Sequence, residues 1–217
     1  MWSLWSEPLA AWQIGGEDID RLHRDMILGL LEPMRKASGK NRVAEKSPNN
    51  AMAFGPLHHL FPDSPIIHVV RHPYDVVASL LERTWIDLAT GKPMAYTENV
   101  TDAAIYWAQI VTLATEMGER IGERYIEVQY ENLATEPEPT LKDLFERIGE
   151  PWEPGVLEFY RQERDLAGES SADQVIKPIY TSAIGRGARD LSETDRATIA
   201  SVIQQVSAQV SAQCAAV

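Results

Sequence analysis

The sequence predicts an α/β fold built on a parallel sheet, as a single domain spanning residues 1–217, and three observations lead there. A short apolar run rich in β-branched residues, Ile66, Ile67, Val69 and Val70, breaks at His72-Pro73 and passes straight into a helical repeat. A further run, Tyr125 to Tyr130, alternates apolar and polar residues and is followed by another helical repeat. The 217 residues, 44% hydrophobic and 24% charged, suffice for one ordinary soluble core.

From the N-terminus, residues 1–16 carry Trp2, Trp5 and Trp12 and end in Gly15-Gly16, a composition suited to packing. Ile19, Leu22, Met26, Ile27, Leu30 and Leu31 predict a helix from Glu17 to Ala37, closed by Gly39. Ser38-Gly39-Lys40 is not a Walker loop, because Met34 stands where that loop needs glycine and a helix stands where it needs a strand. Asn41 to Lys46 reads as a short strand stopped at Ser47-Pro48, which puts Lys46 at a strand end. Ala51 to Phe61 reads as helix interrupted at Gly55-Pro56.

The run Ile66 to Val70 suits a strand buried on both faces, as parallel strands are. Proline then supplies no ladder N–H and ends it. Val76, Val77, Leu80 and Leu81 form the apolar face of the next helix. Gly91 to Glu98 is a polar loop, and a helix from Asp102 to Met117, capped by Thr101 or Asp102, is expected to end at Gly118. After the strand Tyr125 to Tyr130, Leu141, Leu144, Phe145 and Ile148 mark a helix closed by Gly149. Pro151-Trp152-Glu153-Pro154 makes a rigid turn. Ser170 to Arg189 has no regular repeat, and unstructured stretches of that length are commonly functional. Ser192 to Val217 is a closing helix with Ile199, Ile203, Val206 and Val210 on one side.

Composition narrows the function. A net charge of −12 argues against a nucleic-acid partner or an anionic membrane surface, which call for a basic patch. No apolar run approaches the roughly 18 residues of a transmembrane helix, and the first residues do not resemble a signal peptide. With Cys214 as the one cysteine, no intrachain disulfide forms, which fits a reducing, cytoplasmic setting. The five histidines, His23, His58, His59, His68 and His72, follow no ligand spacing, so no metal site is expected.

Chemistry concentrates in Pro65 to Arg83, PIIHVVRHPYDVVASLLER. Arg71 falls at the carboxyl end of a strand, where open α/β sheets bind ligands. Asp75, Ser79 and Arg83 recur at helical spacing on one face. Arg71 and Ser79 can thus approach one point, and a guanidinium fork beside a hydroxyl suits phosphate. Spacing alone is served as well by a plain βα unit with a surface arginine and a polar helix stripe.

The wording of the stretch, a strand followed by R-x-P-x-x-x-x-x-S, resembles the 3′-phosphate motif of the sulfotransferase family. Those enzymes take 3′-phosphoadenosine-5′-phosphosulfate (PAPS) as donor. The likeness is greatest to the bacterial and tyrosylprotein-sulfotransferase branch, to whose pattern Arg83 also conforms. It implies a three-layer P-loop-NTPase-like fold with a parallel sheet, and a 3′-phosphate held by Arg71 and Ser79. Tyr130, in Y-E-N-L-A-T-E-P, matches a tyrosine on the adenine side of the donor, or else caps the sheet edge. Arg186 matches a basic residue over the 3′-phosphate; Gly187 replaces the family's usual tryptophan, a departure expected to loosen that flap.

For transfer itself the resemblance implies Lys46, of E-K-S-P, at the leaving phosphate, and Ser171, of S-x-D-Q-V-x-K-P, polarising the donor. Glu7 is the candidate base. The plainer alternatives are a lysine in a turn, a polar surface loop and a solvated glutamate. Trp85, Tyr106 and the helix after residue 101 correspond to the acceptor region. The partner implied is a small-molecule or peptide acceptor with a hydroxyl or amine; a homodimer is compatible. The family's N-terminal strand, R-S-G-[ST]-[ST] loop and helix have no counterpart before Lys46, so the domain is expected to be N-terminally incomplete. Such a chain lacks the backbone donors for the 5′ side. Two functions stand after this reading: a PAPS-dependent sulfotransferase, impaired by that loss, or a non-catalytic nucleotide-binding or interaction module derived from one.

Overall fold

The structure, a computed structural model, describes residues 14–162 and 172–215. The chain divides into two compact units, Met1–Ser64 and Pro65–Val217.

The first unit is led by α1, Gly16–Ala37. Asp18 Oδ2 accepts the Gly15 N–H at 2.9 Å, and acidic residues at the start and Arg35 and Lys36 at the end complement the helix dipole. Gly39, at φ +64°, turns the chain out of the helix. Residues 41–47 form no strand, contrary to expectation. A strand exists only through a ladder, and among the described residues the sheet consists of two strands of the second unit, with no ladder at 41–47. A 3₁₀ segment, Pro48–Ala53, then runs into α2, Phe54–Leu60. Gly55-Pro56 does not interrupt α2: it lies in the first turn, whose N–H groups have no intrahelical acceptor. Asp20 Oδ2 bonds His59 Nε2 at 2.6 Å and Arg24 Nε donates to the Leu60 carbonyl at 2.9 Å, tying α2 to α1.

The second unit contains the sheet. β1, Ile66–Val70, and β2, Tyr125–Gln129, pair in parallel with Ile66 opposite Tyr125 and Val70 opposite Gln129. Between them lie α3, Pro73–Leu80, and α4, Val100–Ile121. After β2 come α5, Tyr130–Thr135; α6, Pro137–Ile148; a 3₁₀ segment, Pro154–Arg161; α7, Ala172–Val175; α8, Arg186–Asp190; and α9, Glu193–Ala215. Ser170 to Arg189, expected to be irregular, thus holds two short helices among its described residues.

Val77, Ala78 and Leu80 of α3 meet Ala103 and Ala104 of α4, with Leu191 and Ile199 completing the cluster. The alanines of α4 let its neighbours approach closely. Thr112 and Ser207 share a hydrogen bond at 2.8 Å, and Arg120 donates to the Cys214 carbonyl, so α9 is fixed along α4 by polar contacts too.

Two expectations are corrected here. β1 is not buried on both faces: His68 points inward at 7% exposure, while Ile67 and Val69 are 42% and 51% exposed. Among the described residues the sheet has two strands only. α4 also starts earlier and ends later than expected, with Asn99 Oδ1 capping the Asp102 N–H at 2.9 Å and Gly122 closing it. Gly118 lies inside the helix, where the Tyr125 ring would stand 2.6 Å from any Cβ. Close packing, not chain reversal, explains that glycine. No helix among the described residues is long and apolar enough to cross a membrane.

Candidate functional site

β1 delivers Arg71 to the sheet's carboxyl edge, and the surrounding backbone is pinned. Trp107 Nε1 donates to the Arg71 carbonyl at 3.1 Å, and the His72 N–H donates to Glu131 Oε1 at 2.9 Å. Pro73 then starts α3, with His72 Nδ1 accepting the Tyr74 N–H at 3.3 Å. The Arg71 guanidinium lies over the Tyr130 ring, 4.7 Å from its centroid. Its Nη2 donates to the Ala183 carbonyl at 2.5 Å and stands 3.9 Å from Asp75 Oδ2. Its Nε is buried and meets no acceptor among the described residues. A buried donor without an acceptor is costly, and such a group is satisfied when an anion binds.

The opposite wall comes from Ser182 to Asp190. Arg189 Nη1 and Nη2 donate to the Ile184 and Ser182 carbonyls at 3.0 and 2.8 Å and hold this turn in shape. Arg186 bonds Glu82 at 2.5 Å and Asp190 at 3.0 Å. These carboxylates, Glu82 first, hold its guanidinium above the usual arginine range. Gly185 takes φ +69°, and at Gly187 a Cβ would stand 2.4 Å from that of Tyr74. The expectation of a loosened flap is therefore corrected: Gly187 permits backbone-to-backbone contact with α3 that a larger residue would prevent.

Between the walls lies a cavity of about 390 Å³, the scale of a small-ligand site. Arg71, Ser79, Arg83, Tyr130 and Arg186, all predicted as site residues, line it together. Among the described residues four arginines, Arg189 included, line it with one acidic residue, Asp190, in a chain of net charge −12. The arrangement can bind a dianion such as a phosphomonoester. Tyr180 adds a second aromatic wall. Burial raises the Tyr130 hydroxyl above its ordinary range, partly opposed by Arg71, so the group stays a neutral hydrogen-bond donor.

Other predicted residues are placed differently. Lys46 belongs to the N-terminal unit, exposed in the irregular segment before Pro48. Glu7 and Ser171 lie outside the described residues. Sequence reasoning missed Arg189, although its spacing from Arg186 puts both on one helical face. It also read Asp75 as part of a polar stripe, whereas Asp75 is 2% exposed and turned inward. Among the described residues no group of three His, Cys, Asp or Glu side chains gathers to hold a metal ion.

Comparison with known proteins bears on what such a cavity serves. The model of the sulfotransferase family matches residues 11–154. The chain belongs to the sulfotransferase family. In this sulfotransferase-family chain the matched region includes Arg71, Ser79, Arg83 and Tyr130, whereas the wall carrying Arg186 and Arg189 lies beyond it. Similar proteins include an uncharacterized protein of Aquifex aeolicus, 26% identical over 78% of this chain and 22% of its own length. The nodulation protein NoeE of Sinorhizobium fredii is 28% identical over 52% of this chain and 30% of its own. Protein-tyrosine sulfotransferase A of Caenorhabditis elegans is 25% identical over 66% of this chain and 38% of its own. The sulfotransferase-family chain thus spans from 22% to 38% of the length of these relatives.

Proposed function

We propose that the chain is a PAPS-dependent sulfotransferase with a three-layer P-loop-like fold, and that the arginine-lined cavity receives the 3′-phosphate of the donor. One observation carries the reading: arginines from two far-apart segments line one cavity together with Ser79, and the buried Arg71 Nε has no acceptor among the described residues. Arg71, Ser79, Arg83 and Arg186 hold the phosphate, and Tyr130 supports Arg71 and borders the nucleoside. The lone cysteine suits a cytoplasmic setting.

The donor supplies an activated sulfuryl group. A hydroxyl or amine of a small-molecule or peptide acceptor attacks sulfur in line; the bond from sulfur to the phosphate oxygen breaks, and the acceptor proton passes to a base. Lys46 by its charge and Ser171 by a donated hydrogen bond stabilise the leaving oxygen, and Glu7 is the base. Catalysis of this type is positioning and charge stabilisation. The likeness to a protein-tyrosine sulfotransferase supports a hydroxyl acceptor.

Calorimetry with 3′,5′-bisphosphoadenosine tests the site. Arg71→Ala removes charge-assisted hydrogen bonds worth about 1.5–3 kcal/mol each, so affinity should fall roughly 10- to 100-fold. Unchanged affinity overturns the assignment. Radiolabelled sulfate transfer from PAPS to an acceptor panel tests the reaction; binding without transfer to any acceptor makes the chain a non-catalytic nucleotide-binding module instead.

A further inference from the structure

Asp75 lies in the first turn of α3 and is 2% exposed. Its two oxygens accept from one distant segment: Oδ2 takes the Gly185 N–H at 2.8 Å, and Oδ1 takes the Gly187 N–H at 2.7 Å. These amides flank Arg186 on both sides. The same carboxylate stands 3.9 Å from Arg71 Nη2, which in turn donates to the Ala183 carbonyl. A buried carboxylate persists only when its oxygens are satisfied, and here one strand-end cation and two backbone amides surround it.

We propose that Asp75 is a positioning residue that latches the Ala183–Gly187 turn onto α3 and so fixes Arg186 over the cavity as a preformed half of an anion cradle. The ligand class is the phosphomonoester of an adenosine 3′,5′-bisphosphate, and in that respect the inference rests on the proposed function. The latch itself does not. Without Asp75 the turn would keep the Arg71–Ala183 bond, the Arg186–Glu82 pair and the packing of Gly187 on Tyr74, but the Gly185 and Gly187 amides that bracket Arg186 would lose their acceptor, and the entropy of ordering the turn would count against each binding event. With it, that cost is met on folding.

Amide-resolved hydrogen exchange and bisphosphoadenosine titration test this together. In the wild type the Gly185 and Gly187 amides should be protected. Asp75→Asn keeps the shape but offers one acceptor where two are needed. These two amides should then exchange at least 10-fold faster while those of β1 and β2 keep their protection. Affinity should fall about 10-fold, and Asp75→Asn should add clearly less than that when Arg186→Ala is already present, the remainder being what its approach to Arg71 contributes. A residue of general structural importance would instead multiply the two losses. Unprotected glycine amides in the wild type, unchanged exchange in Asp75→Asn, or multiplying losses would each overturn the latch. If Asp75→Asn does not fold, Gly187→Ala gives the same readouts, because its Cβ must displace the turn with the carboxylate intact. If wild-type protein binds no bisphosphoadenosine, the nucleotide reading fails and the exchange measurement alone judges the latch.

Discussion

Arg186 is held by two carboxylates, and the one on Glu82 is within reach of solvent at 63% side-chain exposure. An anionic ligand has to compete with it. Glu82→Gln removes that competitor and leaves Asp190 to orient the guanidinium, so bisphosphoadenosine affinity should rise severalfold at low salt, read by calorimetry. Tyr130 poses a different question, since the Arg71 guanidinium already occupies one face of its ring. Tyr130→Phe keeps that face and should bind nearly as the wild type does. Tyr130→Ala loses the stacking and should weaken binding about 10-fold, as a contact of about 1–2 kcal/mol does. Arg71 and Ser79 were legible as neighbours because a strand stopped by proline and a following helix constrain where both can point. Asp75 was not, since the spacing that groups it with Ser79 and Arg83 says nothing of a segment 110 residues away.

Among the elements, α4 and β1 show how one residue type can carry two meanings. The sequence marks Gly118 as a stop because helices so often end in glycine; in the fold it makes room for the Tyr125 ring. Gly118→Ala should therefore destabilise by about 1–3 kcal/mol through overpacking, although alanine is the better helix former by about 1 kcal/mol. A lowered urea midpoint would show it; a raised one would mean that the ring moves aside freely. In β1, burial lowers the His68 imidazole below the ordinary histidine range, with Glu127 opposing, while Nδ1 meets the Tyr125 hydroxyl at 2.7 Å. The folded side chain thus stays neutral at a pH where the unfolded chain takes up a proton. That contribution to stability is whole above about pH 6.5 and is lost as pH falls. Between pH 7 and 5 the urea midpoint should drop, and His68→Gln should flatten the slope. The strand expected at Asn41 to Lys46 illustrates the opposite limit: local composition favours extended backbone, but only a neighbouring ladder makes it a strand.

At the scale of the whole molecule, the chain carries a net charge of −12 while four arginines line its cavity among the described residues. The distant field repels an anionic ligand that the near field attracts. Added salt should therefore raise the association rate by screening the repulsion, and raise the dissociation rate by weakening the arginine contacts. Stopped-flow measurement from low to physiological ionic strength separates the two. A falling association rate would mean that the local arginines also govern approach. The α/β character was legible from two apolar runs, each followed by a helical repeat.

The parallel pairing of β1 with β2 has a kinetic consequence. His68 meets Tyr125 across 57 residues of chain, and α3 and α4 are wound in between. No short hairpin can seed such a pairing, so the search for it is slow by comparison with helix growth. The arginine-lined recess, which opens beside the end of β1, is therefore among the last parts to assemble: a nascent chain acquires its helices well before the two walls of that recess face each other.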